Sequence, residues 1–404
     1  MKSIDRAEKM KNVRSDIRGA LYMQALQIEG DGGSVLKLNT GNPAAFGFTM
    51  PASVTEAVHK GVDSALGYCD FRGMLTAREA ICAYHSGQGI AEITAEDIFI
   101  GNGVSEVISF ALTALLNPND EVLLPSPCYP LWSNTVRLCG AKCVFYCCDE
   151  NAGFQPDLAD MRKKVTANTR AIVIINPNNP TGAVYEKDVL SAISDLARER
   201  GLLIFSDEIY DRLLLDDAKH IPIASLAPDV PVVTMNGLSK SHFLCGFRVG
   251  WMVLSGPSRL TESYRDALIA LTSLRLCAGA LAQTVIPAAL ADQETPKGTV
   301  KVGGRFHTQR EAVTRVLDGI NGISYVKNRA AFYLFPRLNM TAFRFDDDRD
   351  FAKALLHETH ILVVPGSGFE HSDNAHFRIV MLPCAETLAD AMIRMENFLD
   401  KYRK

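Results

Sequence analysis

The stretch Ala171-Ile-Val-Ile-Ile-Asn-Pro-Asn-Asn-Pro-Thr-Gly182 decides the fold. Its first five residues are apolar without alternation, which marks a short strand buried on both faces, as in a mainly parallel sheet. Two prolines and three asparagines then end the strand in a stiff loop that can aim a side-chain amide, Asn179 among them. Working outward, runs of the same kind stand at Asp97–Ile100, Glu121–Leu124, Lys142–Cys147, Leu202–Ser206, Val232–Met235 and Arg248–Leu254. Helix-length amphipathic segments at Ser105–Leu116, Ser133–Cys139, Glu186–Arg200 and Arg259–Arg275 lie between or after them. This alternation is the pattern of an α/β fold. The expectation is a large three-layer domain around a mainly parallel seven-stranded sheet.

Toward the ends the pattern changes. Pro296, Gly298, Gly303 and Gly304 interrupt it, and a boundary belongs there. Beyond lie strand-like runs at Ile323–Val326, Ala331–Phe335, Ile361–Val364 and His376–Met381, a helix at Asp348–Glu358 and a last amphipathic helix, which together describe a smaller α+β domain. The expected division is an N-terminal arm (1–45) joining the small domain, a large domain (46–295) and a small C-terminal domain (296–404). Met10, Val13, Ile17 and Leu21 give the arm a helical spacing.

The 404 residues are 47% hydrophobic and 22% charged with a net charge of −4, an ordinary globular balance that argues against disorder. No stretch concentrates basic residues enough to track phosphates, so no nucleic-acid partner is expected. No window offers the ~18 consecutive apolar residues of a membrane helix. Ten cysteines are far fewer than the ~8–10% of a short disulfide scaffold. Reduced thiols are therefore expected. The charged start, without an apolar core or a small-residue cleavage site, makes a cytoplasmic location the expectation.

Open α/β sheets bind ligands beyond the C-terminal ends of their strands. After Ile100 comes Gly101-Asn-Gly-Val-Ser-Glu, where Gly103, Val104 and Ser105 present N–H groups and a hydroxyl at a helix N-terminus, a candidate phosphate cradle. It lacks the lysine of a Walker loop and the third glycine of a dinucleotide fingerprint. Asp207 ends another strand, with Tyr210 three residues on. Asn236-Gly-Leu-Ser-Lys240 follows a further strand, and Arg248 comes eight residues later. Singly, these residues read as an N-cap, a core aromatic, a surface lysine and an ion-pair arginine. Together they meet the needs of a pyridine aldehyde with a phosphate tail: a lysine for an imine, a carboxylate for the ring nitrogen, phenol and amide donors for the ring oxygen, and a cation for the phosphate. Lys240, Asp207, Tyr210, Asn179 and Arg248 supply them in turn.

From Lys37-Leu-Asn-Thr-Gly-Asn-Pro43 to His376-Phe-Arg-Ile-Val-Met-Leu-Pro383 the chain resembles the fold-type I pyridoxal-phosphate enzymes, and within them the class I and II aminotransferases. The motifs that carry the resemblance are Gly41-Asn-Pro, Tyr68, Gly101-Asn-Gly, Asn179-Pro-Thr-Gly, Asp207-Glu-Ile-Tyr210, and Ser239-Lys240 with Arg248. The resemblance implies pyridoxal 5′-phosphate as cofactor, Ser239 near its phosphate and Tyr129 stacked on its ring. It implies Arg378 gripping the substrate α-carboxylate with Gly41 close by, and Tyr68 lent to the neighbouring subunit's cofactor, hence a homodimer with shared active sites.

Ile17-Arg-Gly, Phe46-Gly-Phe48, Gly246-Phe-Arg-Val-Gly-Trp-Met-Val-Leu, Leu274-Arg-Leu-Cys-Ala and Pro365-Gly are similar to bacterial alanine (glutamate–pyruvate) aminotransferases. Lys240-Ser-His-Phe-Leu-Cys245 and Phe369–His376 depart from that subgroup, which bears on substrate choice rather than reaction type. The expected reaction is ping-pong amino transfer between alanine and 2-oxoglutarate. β-Elimination on the same scaffold, an aminotransferase of other specificity and a non-catalytic cofactor-binding regulator stay open. A pocket for both alanine and glutamate must pair the second carboxylate when it enters. Arg18 and Arg275 are the candidates. No metal is expected, because His357-Glu-Thr-His360, with His371 and His376 beyond, lacks a recognised ligand spacing.

Overall fold

The computed structural model describes residues 3–404, so the first two residues of the expected arm lie outside it. After the short strand β1 (Leu36–Lys37), eight strands build one sheet: β2 (Ile98–Gly101), β3 (Glu121–Ser126), β4 (Lys142–Asp149), β5 (Gln155–Pro156), β6 (Thr169–Ile175), β7 (Leu203–Asp207), β8 (Val232–Gly237) and β9 (Gly250–Ser255). Their spatial order is β2-β9-β8-β7-β6-β3-β4-β5. Neighbours from β4 through β3, β6 and β7 to β8 run parallel, whereas β9 is antiparallel to both β8 and β2.

The unbroken apolar runs have a direct cause. In β6, Ile172 and Ile174 enter one hydrophobic layer, while Ala171, Val173 and Ile175 enter the layer on the opposite face. The same split divides Ile204 from Leu203 and Phe205 in β7, and Val232 from Val233 and Met235 in β8. Each face is covered by helices, so no position along these strands needs to be polar. Burying one such isoleucine or valine contributes about 1.5–3 kcal/mol.

Three details differ from the sequence reading. An eighth strand joins the expected seven: Gln155–Pro156, paired antiparallel with β4 at the sheet edge. Proline cannot donate to a ladder, which suits it to an edge. The interruption near residue 296 contains a helix, Glu294–Val300, with Pro296 in its first turn, where a missing N–H costs nothing. The arm forms a 3-10 turn at Glu8–Asn12 with no buried residue, and its α-helix is Ala20–Gly30. Of the four spaced apolar residues, only Leu21 falls in that helix.

A second core gathers Leu38, Val313, Phe351, Leu355, Phe377, Ile379, Met395 and Leu399. Strand β1 pairs parallel with Ile361–Leu362, which ties the arm to this part of the molecule. Tyr333–Leu334 and Val364–Pro365 flank the central strand Phe377–Val380, which carries Arg378. Among the described residues no helix is long and apolar enough to cross a membrane.

Candidate active site

The loops beyond the ends of β2, β3, β6, β7 and β8 converge with the strand Phe377–Val380. Asp207 is the last residue of β7 and only 4% exposed. It accepts Trp132 Nε1–H on Oδ2 at 3.1 Å and the Ile209 amide on Oδ1 at 3.4 Å. Burial pushes its carboxyl up to about 6, against these donors, which pull it down. Among the described residues no cation pairs with it. A buried carboxylate with donors but no counter-charge is arranged to receive a cationic N–H.

Lys240 sits in the one-turn helix Leu238–Ser241 after β8, and its Nζ donates to the Gly41 carbonyl at 2.8 Å. Burial lowers its proton affinity, but Tyr333, Cys245 and Tyr129 turn the net shift upward. Tyr210 and Tyr333 share a hydrogen bond at 2.8 Å between their hydroxyls, and burial pushes the Tyr210 phenol up. Gly41 leaves room for this pair: a Cβ there would stand 2.5 Å from the Tyr333 hydroxyl. Tyr129 caps the helix Pro130–Leu138, and burial raises its phenol too.

Arg378 is 1% exposed. Its Nη1 donates to Asn179 Oδ1 at 2.9 Å, Nη2 donates to the Asn39 carbonyl, and Nε has no partner. The guanidinium lies between the rings of Tyr333 and Phe369, 4.6 and 4.7 Å from their centroids. Burial pulls its pKa down. No carboxylate faces it among the described residues, so this is a rigid fork prepared for an incoming one.

At the other end, Gly103 caps the helix Val104–Leu115 with φ +84, a conformation that favours glycine. A Cβ at Gly103 would strike the Arg248 guanidinium. Arg248 is exposed and donates Nη1 to the Cys245 carbonyl at 2.9 Å and Nη2 to the Asn102 carbonyl at 3.5 Å. The first-turn amides of Val104 and Ser105 and the Arg248 fork thus form a cradle suited to a phosphate. Ser239, next to Lys240, gives its carbonyl to the Cys245 thiol at 2.9 Å.

The remaining candidates stand apart. Arg275 pairs with Glu106 and donates to the carbonyls of Phe71 and Ile100, both at 3.2 Å. Glu106 also accepts the Asn102 amide at 2.8 Å, so Arg275 braces the cradle loop. Arg18 is exposed, and the preceding residue, Ile17, gives its carbonyl to Asn39 Nδ2 at 2.6 Å. Tyr68 is 82% exposed. His357 pairs with Gln24 and His360 closes its helix, so neither joins His371 and His376.

Sequence reasoning missed Trp132, Tyr333, Asn39 and Phe369. Trp132 left one local signal, its position three residues after Tyr129 on one helix. The others left none.

A half-buried amine, a buried carboxylate and a buried guanidinium that faces no anion among the described residues stand at the strand ends of a three-layer α/β fold, groups that an amino-group-transferring enzyme requires. Residues 33–392 match the family Aminotransferase class I and II, and the chain belongs to that family. It is a transaminase. Over 404 residues it is 45% identical to the glutamate-pyruvate aminotransferase AlaA of Escherichia coli strain K12, with all of both chains covered. It is 43% identical over 397 residues to the alanine aminotransferase of Mycobacterium tuberculosis strain H37Rv, spanning 98% of this chain and 92% of that one. A crystal structure of an aminotransferase from Escherichia coli superposes with a TM-score of 0.98 at 44% identity, covering all of both chains.

Proposed function

We propose that this transaminase moves the amino group between alanine and 2-oxoglutarate by double displacement, with pyridoxal 5′-phosphate as cofactor. Arg378 carries the reading: a buried, stacked guanidinium, held by Asn179 and Asn39 and facing no anion, suits a substrate α-carboxylate. The donor set also fits the cofactor. Asp207 would hold the ring nitrogen, and Tyr210 with Asn179 the ring oxygen. Tyr129 would cover the ring face. Gly103, Val104, Ser105, Ser239 and Arg248 would surround the phosphate.

When bound, the cofactor supplies an electrophilic carbonyl and a cationic ring that draws electrons from the substrate Cα. Arg378 and Asn179 orient the substrate through its carboxylate. Lys240 Nζ takes the Cα proton and later returns it, and the Gly41 carbonyl holds the amine in place between the two transfers. Asp207 keeps a proton on the ring nitrogen, because a buried carboxylate without a counter-charge is stabilised by one.

The preference for alanine and glutamate draws on the relatives named glutamate-pyruvate and alanine aminotransferase. For the second carboxylate of glutamate, Arg18 is the better placed candidate. Asn39 links the arm at Ile17 to Arg378, whereas Glu106 already engages Arg275.

A homodimer fits the surface. Leu66, Tyr68 and Leu274 are 84%, 82% and 82% exposed, and their two segments adjoin, with Arg275 donating to the Phe71 carbonyl. A second copy would cover this apolar edge and place the partner's Tyr68 at the cofactor phosphate. We read the chain as an arm (1–45), a large cofactor-binding domain (46–295) and a small domain (296–404), which the separate core around Phe351 and Phe377 supports. Ten free thiols favour the cytoplasm.

The test is a panel of amino donors offered with 2-oxoglutarate and with pyruvate. Alanine with 2-oxoglutarate, and glutamate with pyruvate, should be the fastest pairs. Ammonia release from cysteine or cystathionine without a keto acid would instead identify a lyase.

A further inference from the structure

The loop His371-Ser-Asp-Asn-Ala-His376 turns back on itself just before the strand that carries Arg378. Within it, His371, Asp373 and His376 each bring one ligating atom within 4.8 Å of the others. We propose that these three residues bind a divalent transition-metal ion, zinc-like in its preferences, with Glu150 as the carboxylate behind the His376 ring.

His371 Nε2 lies 3.5 Å from Asp373 Oδ1, and His376 Nδ1 lies 2.9 Å from the same carboxylate. A tetrahedral ion with bonds of about 2.0–2.1 Å keeps its donors about 3.3 Å apart. For these two pairs, closing on an ion therefore needs shifts of only tenths of an ångström. Two imidazoles and one carboxylate favour zinc, cobalt or nickel over magnesium or calcium.

An orphaned atom gives an independent pointer. His376 is fully buried, and its Nε2 makes no hydrogen bond although it stands 3.4 Å from Glu150 Oε1. Its Nδ1 faces Asp373 and its Nε2 faces Glu150, so the ring meets a carboxylate on each side. An ion on Nδ1 moves the proton to Nε2, where Glu150 receives it, and that is how a second carboxylate fixes a metal-bound imidazole. His371 Nδ1 is likewise buried and unmatched. Phe335 holds the His376 ring by stacking at 4.8 Å.

One competing cation is present. Arg337 reaches Asp373 at 3.4 Å and Glu150 at 3.6 Å, but its side chain is half exposed and free to swing into solvent. The site also adjoins the substrate fork, because Phe335 meets the edge of Phe369, which lies against Arg378. An ion here would hold in place the loop on which that stacking rests.

The test uses holoenzyme stripped with a chelator and titrated with Zn²⁺ or Co²⁺. Equilibrium dialysis with elemental analysis reads the stoichiometry, and the visible spectrum of bound Co²⁺ reads the donors. One ion per chain is expected, with a nitrogen and oxygen spectrum. Affinity should fall at least tenfold in His371→Ala and in Asp373→Asn, and about tenfold in Glu150→Gln, the size seen when a supporting carboxylate is lost. Cys147→Ser should change nothing. The proposal is overturned by the absence of saturable binding in the wild type, by unchanged affinity in His371→Ala and Asp373→Asn, or by a thiolate charge-transfer band, which would place the ion on cysteines.

Discussion

Trp132 donates its indole N–H to Asp207 Oδ2 at 3.1 Å, and together with the Ile209 amide this is the polar support of a carboxylate that meets no cation. The indole therefore decides how readily Asp207 stays ionised and which way its oxygens point. Trp132→Phe keeps the buried aromatic volume and removes the donor. A hydrogen bond to a charged group is worth about 1.5–3 kcal/mol, so kcat should fall roughly ten- to hundredfold, with KM little changed. In the cofactor-free protein the carboxyl should also move further above about 6, because a donor that stabilises its charged form is gone. A rise in KM at unchanged kcat would show that Trp132 only packs.

The same carboxyl leaves a mark on the stability of the cofactor-free protein. Its folded pKa of about 6 lies above the ordinary 3.8, so the fold binds the extra proton and the unfolded chain releases it. Stability from this group is present at low pH and lost as pH rises from about 4 to about 6. Asp207→Asn removes that loss. In urea unfolding of apoenzyme, the variant should gain on the wild type across this window, by at most about 3 kcal/mol. Parallel curves from pH 4 to 8 would contradict the raised value.

Lys240→Ala should abolish amino transfer while the protein still retains pyridoxal 5′-phosphate through dialysis, because Arg248 and the first turn of the helix Val104–Leu115 remain. Cofactor content and turnover are read on the same sample. Turnover near the wild-type level would remove Lys240 from the chemistry.

Three arginines should separate cleanly in single-turnover kinetics of the two half-reactions. Arg378→Lys keeps the charge but loses one arm of the bidentate fork and should slow both alanine and glutamate roughly ten- to hundredfold, the size of one hydrogen bond to a charged group. Arg18→Ala should slow glutamate alone. Arg275→Ala should slow neither selectively but should release cofactor, because it frees Glu106 and the loop it braces. A glutamate-selective defect in Arg275→Ala would reverse this assignment.

What the amino-acid sequence determined by itself is the set of elements and the polar residues at their ends. Apolar runs such as Ala171–Ile175 lie between helical coverings whatever the order of the strands, so their burial on two faces is already written in neighbouring residues. The positions of Asp207, Asn179 and Lys240 at or just beyond strand ends were legible for the same local reason, since that edge is where an α/β sheet binds its ligand, whereas Arg248 reaches the same edge by preceding the antiparallel strand β9.

Tertiary structure alone decided the pairings. Trp132 reaches Asp207 across 75 positions, Tyr333 reaches Tyr210 across 123, and Arg378 reaches Asn179 across 199. Arg275 meets Glu106, 169 positions away, which leaves no trace beside it in the chain. His371 and His376 looked like scattered histidines until the loop closed them on Asp373. Periodicity is a property of adjacent residues and survives any arrangement of the sheet. A hydrogen bond or ion pair between distant residues exists only once strand order and packing bring their atoms within about 3 Å.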